Sequence, residues 1–475
     1  MKRDSRLRPL TGLAIAGLLA LSDGSGDGSK DGVPDGAAPA RDSSALGGRT
    51  SVPEVGAHAF SFPAATLTPL ERRAFAVGNA FFKENWVSPP ASAAGRDGLG
   101  PLFNASSCSS CHLRDGRGRP PQPGERAPTG LLLRLGVASA TEPAGPDEPH
   151  PVYGTQLQEQ AVLGAQPEAR WRIETSIVRG SYADGGSYEL EQPRYVLEGE
   201  SYGPLSEPRL GARVANQLIG LGLLEAIPAA DVLAGEDPRD LDGDGISGRA
   251  HQVRELRSGA LRLGRFGWKA TQPTVEQQVA AAFVHDMGIT SSLFPREELG
   301  AAQLERIAFE PEAAPELDDH KLARVSFYTQ VLAVPAQRGA DEPRVIRGRE
   351  LFGALGCAAC HTPQWHTASS GVLPALADQT IHPYTDLLLH DLGPGLADAK
   401  RDGSAEPAEW RTPPLWGIGL FEQVSGHTRY LHDGRARDLA EAILWHGGEA
   451  QRARDGFAAL PAAKRAELLA FLGSL

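Results

Sequence analysis

Four cysteines occur in the chain, and all four fall inside two pentapeptides, Cys108-Ser109-Ser110-Cys111-His112 and Cys357-Ala358-Ala359-Cys360-His361. In Cys-x-x-Cys-His both thiols can add across the vinyl groups of a haem while the adjacent imidazole ligates the iron, so the spacing is that of covalent c-type haem attachment. Two Cys-x-x-Cys pairs would also suit a structural zinc site or a pair of redox dithiols. The histidine directly after each second cysteine favours haem, and no thiol is left over for a disulfide framework. Two covalently bound haems are therefore expected, with Cys108, Cys111, Cys357 and Cys360 as attachment points and His112 and His361 on iron.

Such motifs need helices around them, because a haem supplies apolar surface that a neighbouring helix must cover. Thr68-Pro69-Leu70-Glu71 is a capping box with Pro at the first helical position. It opens a predicted helix carrying Phe75, Phe81 and Phe82 and running to about Trp86. Arg344 to Leu355 is a second amphipathic stretch leading straight into the second motif. Leu317 to Val334, stopped by Pro335, and Pro461 to Leu475 read as closing helices. The order helix, motif, loops, closing helix thus occurs twice, which predicts an internal duplication. A mainly α fold follows, with two cytochrome c-like haem domains at 57–337 and 338–475.

Between about 129 and 268 the texture changes toward strands, and a mixed, β-containing insertion in the first domain is expected. Gly130 to Leu135 is a short apolar run, and Trp171 to Ser181 and Tyr188 to Leu197 flank Asp184-Gly185-Gly186 as a hairpin would. Helical signal returns at Val214 to Leu224. Asp240, Asp242 and Asp244 occupy positions one, three and five of an EF-hand-like loop with Gly245 at six, so calcium is a candidate ligand. Position twelve is His251 in place of the bidentate Glu, and an ordinary Asp/Gly turn is the alternative. Val275 to Met287 reads as a helix with Val279, Phe283 and Met287 on one face; Met287 suits core packing there, and is also an axial-ligand type.

A chain of 475 residues with 41% hydrophobic residues can bury more than one core. Its 55 Gly and 37 Pro imply much loop, and a net charge of −12 argues against nucleic acid and anionic membrane surfaces as partners. Lys2, Arg3, Arg6 and Arg8 precede an apolar run from Leu10 to Leu21, with Ala20 and Ser22 in cleavage spacing. Residues 1–22 thus read as a secretory signal, too short for a comfortable span. Asp23 stands where a lipoprotein would carry Cys, so lipid anchoring is not supported. Residues 23–56 are poor in large apolar side chains and read as a flexible linker. A periplasmic or secreted protein is expected, with no transmembrane segment.

Downstream histidines that could complete the second site are His366, His382, His390, His427, His432 and His446. At this point the chain resembles the bacterial di-haem cytochrome c peroxidase superfamily. The resemblance rests on Arg411-Thr412-Pro413-Pro414-Leu415, Tyr430-Leu431-His432-Asp433-Gly434 and Leu439 to His446, with His390-Asp391-Leu392-Gly393 similar to a His-Asn-x-Gly segment. More closely, the mature chain is similar to di-haem oxidoreductases labelled thiol oxidoreductases, over Leu99 to His112, Asp240 to Arg249, Gly264 to Pro295, His390 to Asp398 and Tyr430 to Glu449. In the peroxidases an axial ligand, usually Met, lies fourteen residues after the His of the aromatic-x-His-x-Gly segment. Here that position is His446, so the resemblance implies His361 and His446 as the axial pair of the second haem. The superfamily's interdomain calcium site precedes that segment, where this chain has His427-Thr428-Arg429.

The resemblance further implies a reactive first haem with a distal Gln and Glu, and Gln160 and Glu168 are the nearest matches in this sequence. The function expected from it is a peroxidase-like di-haem oxidoreductase. The second haem would relay electrons from a periplasmic electron-transfer protein to the first, where peroxide or an unidentified oxidisable substrate reacts. Two other readings stay open: a non-enzymatic di-haem electron-transfer cytochrome, and a haem-free secreted dithiol oxidoreductase.

Overall fold

Thr68 accepts a hydrogen bond from the Glu71 backbone and Glu71 reaches back to the Thr68 N–H, so the capping box forms and opens the helix Pro69–Lys83. The computed structural model in which this is seen describes residues 44–92, 95–122, 125, 129–142, 145–307 and 315–475. All of these belong to one unit, Pro34–Leu475. The expected signal, 1–22, and most of the expected linker lie outside the described residues. The linker's end does not behave as a tether: Leu46, Thr50, Ser51 and Val52 are buried, and Val52 exchanges backbone bonds with Val334 and Ala336.

Two helix pairs repeat one arrangement. Pro69–Lys83 crosses Asp319–Gln330, and Pro343–Ala354 crosses Ala462–Ser474. Each crossing is made close by a glycine. A Cβ on Gly78 would stand 2.3 Å from the Arg324 carbonyl oxygen and 2.7 Å from Tyr328 Cβ; on Gly348 it would stand 2.1 Å from the Glu467 oxygen and 2.7 Å from Phe471 Cβ. One turn later, Phe82 and Phe352 each lie with ring centroid 6.2 Å from the histidine of the neighbouring pentapeptide. The helix, motif and closing-helix order is thus reproduced down to which side chain covers each histidine.

The expectation of a mainly α fold is overturned. The chain is 30% helical and 18% strand, a mixed α/β architecture. Six two-stranded antiparallel sheets occur among the described residues. Strand is not confined to the insertion: Trp365–His366 pairs with Thr380–Ile381, and Leu389–Asp391 with Glu409–Arg411. The physical reason lies in the Gly- and Pro-rich connections, whose buried backbone groups still need partners and find them in short ladders. The longest pairing is the predicted hairpin, Arg170–Ser181 with Ser187–Glu198. Leu131–Gly136 pairs with Arg209–Val214 and turns Leu131, Leu133 and Leu135 into a core with Tyr153, Leu157, Trp268 and Trp410.

Val214 to Leu224, expected to be helical, is mostly not. Val214 ends a strand, and Gly220, at φ +70°, delays the helix to Leu221–Glu225. The helix Val275–Met287 forms over the predicted residues, capped by Thr274 and ended by Gly288 in the left-handed region.

Candidate haem-binding and redox site

Each pentapeptide folds as a single tight turn, Cys108–Cys111 helical and Cys357–Ala359 3-10. In both, the histidine N–H returns to the carbonyl of the first cysteine, at 3.0 Å. The side chains are oriented alike. His112 Nδ1 lies 3.3 Å from the Gly116 carbonyl oxygen, and His361 Nδ1 lies 2.9 Å from that of Tyr384. A carbonyl on Nδ1 favours the tautomer in which Nε2 is the basic nitrogen, the arrangement a metal-ligating imidazole needs; His112 is also hydrogen-bonded by the Asn216 backbone. Burial holds both imidazoles neutral, lowering each to about 4.

The four thiols are free. Burial, reinforced by the Asp286 charge, pushes Cys108 up to about 12 and raises Cys111 as well; burial also lifts Cys357 to about 11. Thiols raised in this way are poorly suited to dithiol exchange, which relies on a depressed pKa.

Cys108, Cys111 and His112 border a cavity of about 330 Å³. Its apolar walls include Phe82, Leu218, Leu221, Val279, Ala282 and Val325, and its polar walls include Arg134, Gln156, Arg265, Lys269, Asp286 and Arg411. A mainly apolar cleft with charged side chains in its lining, both thiols and a histidine fits a haem, whose macrocycle is apolar and whose propionates are not.

Gln160 and Glu168 do not border this cavity. Gln160 pairs with Phe103 across a short ladder and donates from Nε2 to the Asn104 carbonyl. Glu168 is buried, accepting from the Gln158 N–H at 2.6 Å and from Gln303 Nε2, and burial raises its carboxyl to about 8. Two acids do border the cavity: Asp402, which is paired with Arg213 and Lys400, and Asp286, which has no such ion pair among the described residues. Its Oδ1 accepts from Gln156 Nε2 at 2.8 Å, and Gln156 Oε1 in turn accepts from Arg134 at 3.1 Å. Burial raises Asp286 to about 6, against the pull of Gln156 and Arg134. Its neighbours His285 and Met287 border the cavity too. Sequence reasoning missed Asp286 because Gln156 and Asp286 are far apart in the chain; the signal was the helix Val275–Met287, which delivers its last turn to the cavity.

At the second motif, His446 follows the short helix Leu439–Leu444 and fixes its Nδ1 on the Ala442 carbonyl at 2.8 Å. Burial lowers it, favouring the neutral imidazole that an iron ligand needs. His432 is stacked on Trp410 at 3.7 Å, and His427 Nε2 lies 3.0 Å from the Arg117 carbonyl oxygen. His390 is buried between Asp386 (2.8 Å) and Glu449 (2.7 Å), with Cys360 Sγ at 3.5 Å. Although burial acts the other way, the two carboxylates and Cys360 hold His390 up to about 12.

The acidic loop gathers Asp237, Asp240 and Asp242 within 4.8 Å of one another. Asp244 accepts instead from the Ile246 N–H at 2.8 Å, and His251 points away to the Lys269 carbonyl at 2.7 Å. Only two of the three carboxylates expected to hold calcium therefore converge.

The family model described as "Di-haem oxidoreductase, putative peroxidase" matches residues 41–134 and 179–475. Among curated proteins none matches the chain. A solved chain titled "Kuenenia stuttgartiensis Hydrazine Synthase Pressurized with 20 bar Xenon" is similar at 14% identity, over 88% of this chain and 94% of that one, with a TM-score of 0.31. The gap in the family match begins after Arg134 and ends inside the strand Arg170–Ser181, so it spans the start of the hairpin and leaves both pentapeptides and His446 inside. With both motifs and most of its length matched, the chain belongs to the di-haem oxidoreductase family.

Proposed function

We propose that the chain is a c-type di-haem oxidoreductase acting outside the cytoplasm in the manner of a peroxidase, with haem-binding units at 57–337 and 338–475. Bound haem supplies the redox chemistry, the second as relay and the first as the place where peroxide or an oxidisable partner reacts. The observation that carries the proposal is the repeated geometry: a Phe from a glycine-crossed helix covers each motif histidine, and a main-chain carbonyl holds each Nδ1.

The chain's own residues divide the work. Cys108, Cys111, Cys357 and Cys360 attach, and Gly116 and Tyr384 orient His112 and His361 through their carbonyls. His446, aimed by Ala442, completes the second site. Asp286 holds or accepts a proton at its carboxylate with Gln156 fixing its orientation, a role that Gln160 and Glu168 are not placed to fill. A calcium ion belongs to the same reading at Asp237, Asp240 and Asp242, where it would raise the thermal midpoint and a chelator would lower it.

EPR and optical spectra across oxidation states test the enzyme reading. A high-spin signal from one haem, altered by an added small ligand in the half-reduced protein, is expected. Two low-spin haems in every state would make the chain an electron-transfer cytochrome instead.

A further inference from the structure

Two guanidinium groups that border the cavity form no direct ion pair among the described residues. Arg265 is buried, with Nη1 donating to the Leu224 carbonyl at 2.8 Å and Nη2 to that of Ile227 at 2.7 Å. Arg411 is buried, with Nε donating to the Gly267 carbonyl at 2.9 Å and Nη1 to its neighbour Thr412 at 3.1 Å. Among the described residues neither forms an ion pair with a carboxylate, whereas Arg213, on the same wall, pairs with both Asp398 and Asp402. Lys269 stands between them in the chain, buried, bonded to the Glu406 and Pro407 carbonyls and 3.7 Å from Asp398.

Taking a cation out of water costs several kcal/mol, by the general estimate, unless an anion meets it. Carbonyl oxygens orient a guanidinium but carry no net charge. Burial lowers Arg265 and Arg411 to about 10 each, so both remain charged at neutral pH. Glu225 and Asp386 act on Arg265 and Arg411 from a distance but neither makes a direct ion pair with them, so two buried guanidinium groups bordering one cavity favour an occupant that brings negative charge into contact with them. Guanidinium's planar fork matches a carboxylate in particular.

We propose that Arg265 and Arg411 form a carboxylate-binding wall that receives the propionates of the first haem, fixing its orientation and raising its reduction potential. This rests on the haem reading above. A positive charge near the macrocycle favours the reduced form, so these are positioning and tuning residues rather than catalytic ones.

The test uses the holoprotein. Haem per chain is measured first, and a wild-type chain without covalent haem would end the underlying reading, not this one. In Arg265→Gln and Arg411→Gln the first haem's reduced-to-oxidised ratio at fixed potential is expected to fall roughly tenfold, about 59 mV for one electron. The second haem should be unmoved, and the resonance Raman propionate-bending band of the first should shift. Arg265→Lys restores the potential while leaving the band displaced, because an ammonium supplies charge without the fork; that variant also carries the test if the Gln forms do not accumulate. Unchanged potential and band in both Gln variants would overturn the assignment. So would acetate perturbing the wild-type first-haem spectrum, with that response lost in the variants and the propionate band intact, since the wall would then serve a free carboxylate.

Discussion

His446 is the residue proposed as the second ligand at the motif of His361. Its Nδ1 is anchored on the Ala442 carbonyl, leaving Nε2 for the role proposed above, so His446→Ala should convert one haem, and only one, from low to high spin, visible by EPR. An unchanged low-spin spectrum would remove it from the ligand set. Asp286 faces the first cavity, and Asp286→Asn should reduce turnover by about 10²-fold, with the acidic limb of the pH profile near 6 abolished. Glu168 makes a different prediction. Burial raises its folded-state pKa from 4.5 to about 8, so the folded chain keeps a proton that the unfolded chain releases. Its contribution to stability is therefore full below pH 4.5 and is lost as pH rises through about 8. Glu168→Gln should flatten that decline in thermal midpoint without altering either haem spectrum. At this scale the two turns that present a histidine with Nδ1 on a carbonyl were legible, because each is written in five consecutive letters. The cavity-facing placement of Arg265, Arg411 and Asp286 was not, since it depends on how distant segments fold around the cavity.

Among the elements, the crossed helices are the scaffold that the haem motifs lean on. Gly348→Ala would drive a methyl to 2.1 Å of the Glu467 carbonyl, backbone against backbone, so the crossing must open. A loss of about 1–3 kcal/mol in unfolding free energy is expected, with Phe352 displaced from His361 and the second haem's spectrum altered. The same change at Gly353, where no atom lies within 4 Å, should leave both untouched. Starts with local punctuation were read closely, since the capping box of Thr68 is decided within a few residues; the stop at Pro335 was not where the helix ends, because Asp319–Gln330 closes at Val331 before the proline is reached. The hairpin was equally legible from its Asp-Gly-Gly turn. The short ladders of the C-terminal half were not, because Leu389–Asp391 and Glu409–Arg411 carry no alternation long enough to register and pair across an intervening loop. Their omission, with the strands of the insertion underweighted, is why a mainly α fold was expected where a mixed one forms.

At the level of the whole molecule, the net charge of −12 bears on the electron donor. A basic donor protein would be steered toward this surface, so its association rate should fall several-fold as salt rises from about 0.01 M to about 0.1 M and the Debye length shrinks from about 30 Å to about 10 Å. A salt-independent rate, followed by stopped-flow haem reduction, would argue for a neutral or small-molecule donor. Among the described residues no helix is long and apolar enough to cross a membrane. Everything else depends on each chain holding two haems through four thioether bonds. The pyridine haemochrome spectrum of acid–acetone-extracted protein tests this most directly. Two c-type haems per chain, retained through extraction, are predicted; haem that washes out, or none, would contradict the account.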